Sequence, residues 1–378
     1  MFQKSVLSNG IRALSATMPQ ARSVSIGILI GAGSRYETLE SSGAFHFIEH
    51  MCFKGSKRYP TARLISETIE GVGGVMNAST DRELTIYWCK VARPYFSRAL
   101  GLLADMVRNP LFELQELDKE RRVILEELSM SNDHPDSRVE LLVDELLWPD
   151  QPMGRDVGGT HQSIKSMGTQ TLLDCLRAQY TPSNIAISVG GDIEHDEVVG
   201  EIAGHLTDWP SLEPLPWSYA TNEQAFPKVK VESRKTDQAH LSLALHGLSS
   251  TDPDSYVLDL LSAILGEGMS SRLFQAVREE QGLAYDVHSY TNHFHDCGSV
   301  VIYAGVDPKN AQRAVSSILE EVLRLTRDSV PSTELDKAKS LVKGRMLLRL
   351  EDTRSVALWG GAQEMLLGLS LIHISEPT

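Results

Sequence analysis

Apolar residues recur at every second position in Val24, Ile26, Ile28 and Ile30, and again in Leu241, Leu243 and Leu245. A period of two sends alternate side chains to one face, so each stretch predicts a strand with a buried face. The pattern then turns helical over Ala44 to Phe53 and over Tyr256 to Leu265. After a further helix, each copy returns to paired strands, at Val75 to Val91 and at Leu283 to Ala304. One more helix leads both copies to the same tetrapeptide, Glu116-Leu117-Asp118-Lys119 and Glu334-Leu335-Asp336-Lys337, 218 residues apart. Matching elements in matching order mark an internal duplication. Between the copies, Trp209 to Pro227 carries Pro210, Pro214, Pro216 and Pro227, residues without the amide donor that helices and sheets need. The expected organisation is an α+β chain of two homologous half-domains, 1–209 and 228–368, joined by an extended linker at 210–227. Each half is expected to hold an antiparallel-rich mixed sheet with helices packed mainly on one face.

The first copy runs on through a helix (Thr171 to Tyr180), a strand (Asn184 to Gly191) and a last helix ending near Leu206, for which the second copy has no counterpart. The final segment, Leu369 to Thr378, resembles the translation of a transposon-end adapter used in sequencing libraries. The second half is therefore expected to be truncated at its C-terminus by roughly fifty residues, with 369–378 an artefact.

Composition narrows the function. At 378 residues, 42% hydrophobic and 23% charged, the chain is globular rather than disordered, collagenous or coiled-coil. A net charge of −14 argues against a nucleic-acid partner and for a cationic peptide. The four cysteines form no CxxC pair, so neither a disulfide framework nor a cysteine zinc site is expected, and reduced, cytoplasmic thiols are. The best apolar stretch, Val24 to Ile30, is too short to span a bilayer.

His46-Phe47-Ile48-Glu49-His50 carries the chemistry. Histidines four apart on a helix share a face and can converge on one metal ion, and Glu49 between them can take a proton from water without being a ligand. Ser41 or Ser42 is expected to cap this helix and Gly55 to end it. A third ligand is expected from the acidic helix Glu113 to Asp133, where Glu120 and Glu127, two turns apart, share a face that Glu126, about 100° away, does not. Gly71-Val72-Gly73-Gly74 follows a helix and reads as a helix stop rather than a phosphate loop. His293 and His295 lack a carboxylate or cysteine at matching spacing, and no serine sits in a GxSxG context.

The run Gly43-Ala44-Phe45-His46-Phe47-Ile48-Glu49-His50-Met51-Cys52-Phe53-Lys54-Gly55 resembles the inverted zinc motif of the pitrilysin/insulinase family, in the branch of the mitochondrial processing peptidase and its bacterial relatives. The likeness extends through Gly74 to Tyr87, Glu120 to Glu127, Pro152 to Arg155 and Leu265 to Tyr285. It implies Zn2+ held by His46, His50 and Glu127, Glu49 as general base, Glu120 as a supporting carboxylate behind the ligands, and Asn77 on the substrate side. It also implies a metal-free half whose Arg278 and Tyr285 complete the site and hold substrate. Shifted by the repeat, positions 46, 49, 50 and 127 become Ile264, Glu267, Gly268 and Arg345, which cannot form a second centre. Family members enclose substrate between two two-lobed units, which implies a homodimer or a heterodimer with a metal-free sister chain. The expected function is a zinc endopeptidase acting on short or unfolded, basic peptides. Its alternatives are a non-catalytic structural or partner subunit, like the core proteins of the respiratory bc1-type complex, and an inactive truncated fragment.

Overall fold

The computed structural model describes residues 2–368; the adapter-like segment 369–378 lies outside them. In chain order the elements are β1 (Phe2–Val6), β2 (Arg12–Thr17), β3 (Ser23–Ile30), α1 (Ala44–Cys52), α2 (Ala62–Glu70), β4 (Val75–Thr80), β5 (Thr85–Ala92), α3 (Phe96–Arg108), α4 (Leu114–Asp133), α5 (Pro135–Leu147), α6 (His161–Ser166), α7 (Thr169–Gln179), β6 (Ile185–Gly191), α8 (His195–Leu206), β7 (Ala239–His246), α9 (Ser255–Gly266), β8 (Ala284–His293), β9 (Gly298–Val306), α10 (Ala311–Arg327), α11 (Ser332–Arg349) and α12 (Thr353–Leu367). They form an α+β chain divided into two compact units. Residues 2–128, 156–218 and 348–368 make the first, and 129–155 with 219–347 the second.

The first unit is built on a six-stranded sheet in the order β1-β2-β6-β3-β5-β4, antiparallel except where β2 meets β6. β3 lies inside it and is buried on both faces. Val24, Ile26, Ile28 and Ile30 enter the main core with Phe47 and Ile48 of α1 and Leu100 and Leu103 of α3. The opposite face, Ser25, Gly27 and Leu29, lies against a helix. Ser25 Oγ is 2.8 Å from Thr353 Oγ1, and a Cβ on Gly27 would come within 2.5 Å of Leu358. That helix, α12, packs on β2, β3 and β6. Its first turn is capped by Asp352, which accepts from Ser355 N (3.0 Å) and from Lys90 Nζ on β5 (2.5 Å).

The second unit holds a three-stranded antiparallel sheet, β7-β9-β8, the order that β3-β5-β4 has in the first. Leu265, Val277, Val287, Ile302 and Ile318 form its core, and α5 packs against β7. No residue of β7 is fully buried, in contrast to β3, its counterpart in the repeat.

These units depart from the linear boundaries expected from the repeat. Residues 129–155 belong to the second sheet and 348–368 to the first, because each sheet takes a covering helix, α5 or α12, from the other half of the sequence. The proline-rich segment forms neither helix nor strand, and its first part is tied down. In the first unit, Thr181 Oγ1 donates to Leu212 O (3.0 Å), Gln179 Nε2 to Leu215 O (2.9 Å) and Arg35 to Ser218 O (3.0 Å). The Arg35 guanidinium also stacks 3.8 Å from the Trp217 ring.

Arg35 fixes the tip of the β4–β5 hairpin as well. Its side chain is 1% exposed and pairs with Glu83. Ser34 N and Arg35 N donate to the carbonyls of Asp81 (3.1 Å) and Arg82 (3.0 Å), while Asp81 Oδ1 accepts from Glu83 N (2.6 Å) and Leu84 N (2.7 Å). Removing one member of a buried ion pair leaves the other desolvated. Arg35→Met is therefore expected to lower the stability of the first unit by about 3–5 kcal/mol in urea titrations; a change below about 1 kcal/mol would show that the pair is not what holds the hairpin.

Candidate metal centre

The helix that carries the motif buries Ala44, Phe45, Phe47, Ile48, Met51 and Cys52 and leaves His46, Glu49 and His50 on its remaining stripe. It does not start with the serine cap expected. Gly43, at φ +89°, precedes it, and a Cβ there would meet Gly158 O at 2.5 Å, so the position admits only glycine. The first free amides go to Glu37, which accepts from Gly43 N (2.8 Å) and Phe45 N (2.9 Å). An anion at a helix N-terminus offsets the partial positive charge there. Ser41 Oγ instead accepts from Thr38 N at 2.9 Å, and the helix ends at Cys52, before Gly55.

The acidic helix α4 buries Leu117, Glu120, Ile124 and Leu128. Glu127 Oε2 lies 3.6 Å from His50 Nε2 and 3.9 Å from His46 Nε2, and the two imidazoles are 4.7 Å apart between centroids. Among the described residues these three form the only group of His, Cys, Asp and Glu able to hold a metal ion. Glu126 is exposed and stays outside the group. Behind His50, Glu120 Oε2 is 3.1 Å from Nδ1, and Glu120 Oε1 is 2.7 Å from Lys54 Nζ. A carboxylate on Nδ1 places the ring hydrogen there and turns the Nε2 lone pair toward the gap.

The residues fit zinc. Two imidazole nitrogens and a carboxylate oxygen face one another beyond hydrogen-bond reach, where donors at about 2.0–2.1 Å around a tetrahedral ion would stand roughly 3.3–3.5 Å apart. Burial and the neighbouring His50 push the His46 pKa down to about 4, so His46 is neutral and ready to ligate at pH 7. Burial raises the Glu49 pKa, opposed by the Thr80 hydroxyl, which donates to Glu49 Oε2 at 2.5 Å, and by His50.

Asn77 lies on β4, the edge strand of this sheet, and its Oδ1 accepts from Ala78 N at 2.8 Å. In the second unit, Arg278 stands 5.3 Å over the ring of Tyr285 and 4.8 Å over Phe274, and Tyr285 is 75% exposed. At the repeat-related positions, Ile264 and Gly268 stand where the histidines would, and Arg345, in the place of Glu127, pairs with Glu267, in the place of Glu49. His293 is occupied by Asp259 (3.0 Å) and Leu248 O (2.7 Å). The motif and its spacing assign no role to Glu37, Lys54 or Thr80. Glu37 is an acidic residue just upstream of a helix lacking a usable cap, whereas nothing local to Lys54 or Thr80 marks a role.

Comparison with known proteins gives the family. The description "Insulinase (Peptidase family M16)" matches residues 12–161 and "Peptidase M16 inactive domain" matches 166–342. An uncharacterized zinc protease of Bacillus subtilis, YmxG, is 37% identical over 369 residues, covering 97% of this chain and 89% of that protein. The chain belongs to peptidase family M16. An uncharacterized zinc protease of Streptomyces coelicolor is 34% identical, over 97% of this chain and 81% of its own length. A protease from Helicobacter pylori shares the fold at a TM-score of 0.93 with 23% identity, over 98% of this chain and 91% of that one. The zinc-protease relatives and the M16 family support a metallopeptidase with zinc as its cofactor. Among the described residues no helix is long and apolar enough to cross a membrane.

Metal analysis after dialysis is expected to give one zinc per chain. His46→Ala, His50→Ala and Glu127→Ala are each expected to lose it and Glu126→Ala to keep it. Glu120→Ala is expected to weaken zinc binding roughly 10–100-fold. Zinc content that follows Glu126 rather than Glu127 would refute the helix-face assignment.

Proposed function

We propose that this M16 chain is a zinc endopeptidase of the processing-peptidase type that hydrolyses short or unfolded peptides. The observation that carries the reading is the convergence of His46 and His50 on Glu127, whose Oε2 lies 3.9 Å and 3.6 Å from their Nε2 atoms, with Glu49 on the same helix as the two histidines. His46, His50 and Glu127 would hold the ion and Glu120 would orient His50. When bound, zinc supplies Lewis acidity, polarising a carbonyl and bringing the pKa of water to about 7. Glu49 accepts the proton of the attacking water and later passes it to the leaving amine. Its neighbours suit that work, since burial favours taking up a proton while Thr80 holds one oxygen in place.

Peptide is assigned to the free edge of β4, where Val75, Asn77 and Ser79 are exposed and where an added strand would be recognised through its main chain. Asn77, Arg278 and Tyr285 are the substrate-holding residues of this reading. The partner is a second two-lobed unit, either another copy or a metal-free sister chain, and the location is cytoplasmic. The non-catalytic subunit reading is less well supported, because a structural subunit has no use for a complete ligand set with a base beside it.

Glu49→Gln keeps the shape of the side chain and cannot take a proton. It is expected to retain one zinc and to lose at least about 100-fold in kcat on an internally quenched peptide; full activity would remove Glu49 as the base. With a net charge of −14, cleavage of basic peptides is expected to exceed that of acidic peptides of equal length and to fall with added salt. Equal, salt-independent rates would remove the electrostatic preference.

A further inference from the structure

Thr80 closes β4 opposite Thr85. Its hydroxyl has one hydrogen and two candidate acceptors, Glu49 Oε2 at 2.5 Å and Thr85 Oγ1 at 3.4 Å. Thr85 spends its own hydrogen on Ala32 O at 3.0 Å, and the shorter contact takes the Thr80 hydrogen to Glu49. Among the described residues, Thr80 thus supplies the hydrogen bond that the Glu49 carboxylate receives. A glutamate has three side-chain torsions to order, and pinning Oε2 leaves Oε1 as the oxygen that can meet water. The mount is rigid, because the turn after Thr80 is held by the buried Arg35–Glu83 pair and by main-chain bonds from Ser34 and Arg35. The strand is also the sheet edge to which the proposed function assigns the peptide.

We infer that Thr80 is a positioning residue, whose hydroxyl sets the Glu49 carboxylate in register with a peptide laid along β4. This rests on the reading of Glu49 as base and adds that the strand receiving substrate also aims the base. A packing role at the hairpin tip would need the shape of threonine but not its hydroxyl, which makes Thr80→Val and Thr80→Ser the informative pair.

The test uses the full chain, zinc-loaded, with an internally quenched basic peptide. Thr80→Val is expected to keep one zinc, lose about 10–100-fold in kcat and leave KM within about twofold, and Thr80→Ser to recover most of that loss. In zinc-free protein, Thr80→Val is expected to lower the melting temperature on the order of 2–4 °C when Glu49 is present and not when it is Glu49→Ala. Thr80→Ala replaces the valine variant if that does not fold. An active wild type whose valine variant keeps its kcat, a serine variant no better than valine, or an additive melting cycle would each overturn the role of Thr80. A wild type that binds zinc and cleaves nothing would remove the peptidase reading and this role with it.

Discussion

Glu120 is a carboxylate only 5% exposed, and its two oxygens are taken by Lys54 Nζ at 2.7 Å and His50 Nδ1 at 3.1 Å. A charge withdrawn from water in this way is tolerated when both oxygens are hydrogen-bonded and a cation is adjacent. Since both partners come from α1 and its end, the requirement leaves α4 essentially one placement against α1. Two turns further along α4, Glu127 then falls beside His46 and His50. The same bond selects the His50 tautomer that presents Nε2. Glu37, holding the first amides of α1, does the corresponding work at the other end of that helix.

The duplicated architecture shows how little of this the fold itself provides. β7-β9-β8 repeats the order of β3-β5-β4, and a helix bearing the shared tetrapeptide follows in each copy. In the second copy, Glu267 and Arg345 form an ion pair at positions related to Glu49 and Glu127. Arginine donates hydrogen bonds and has no lone pair to offer a metal, so one substitution closes the position that a ligand would occupy. A common scaffold carries a donor cluster in one unit and a salt bridge in the other, and function has to be argued from the side chains rather than from the fold.

Local patterns made much of this legible. The period-two stretch at Val24 to Ile30 lies within a strand, the paired strands of both copies are hairpins, and the seven-residue spacing of Glu120 and Glu127 does put both on the face of α4 turned to α1. What escaped was held by residues distant in sequence. Ser25 and Gly27 look like the solvent side of a strand until Thr353 and Leu358 are brought against them. The exchange of α5 and α12 between the units is invisible for the same reason, because a repeat reports order along the chain and not which sheet a helix covers. The serine cap failed because Gly43 needs a left-handed backbone packed against Gly158, which leaves the amides to Glu37.

In the proposed site two imidazoles and one carboxylate would hold a zinc ion whose remaining position is open to water. X-ray absorption at the zinc edge of the loaded, full-length chain tests it most directly. The expected result is a four-coordinate ion with nitrogen and oxygen neighbours at about 2.0–2.1 Å and the outer-shell signature of two imidazoles. A sulfur neighbour near about 2.3 Å, or a zinc without imidazole scattering, would contradict it.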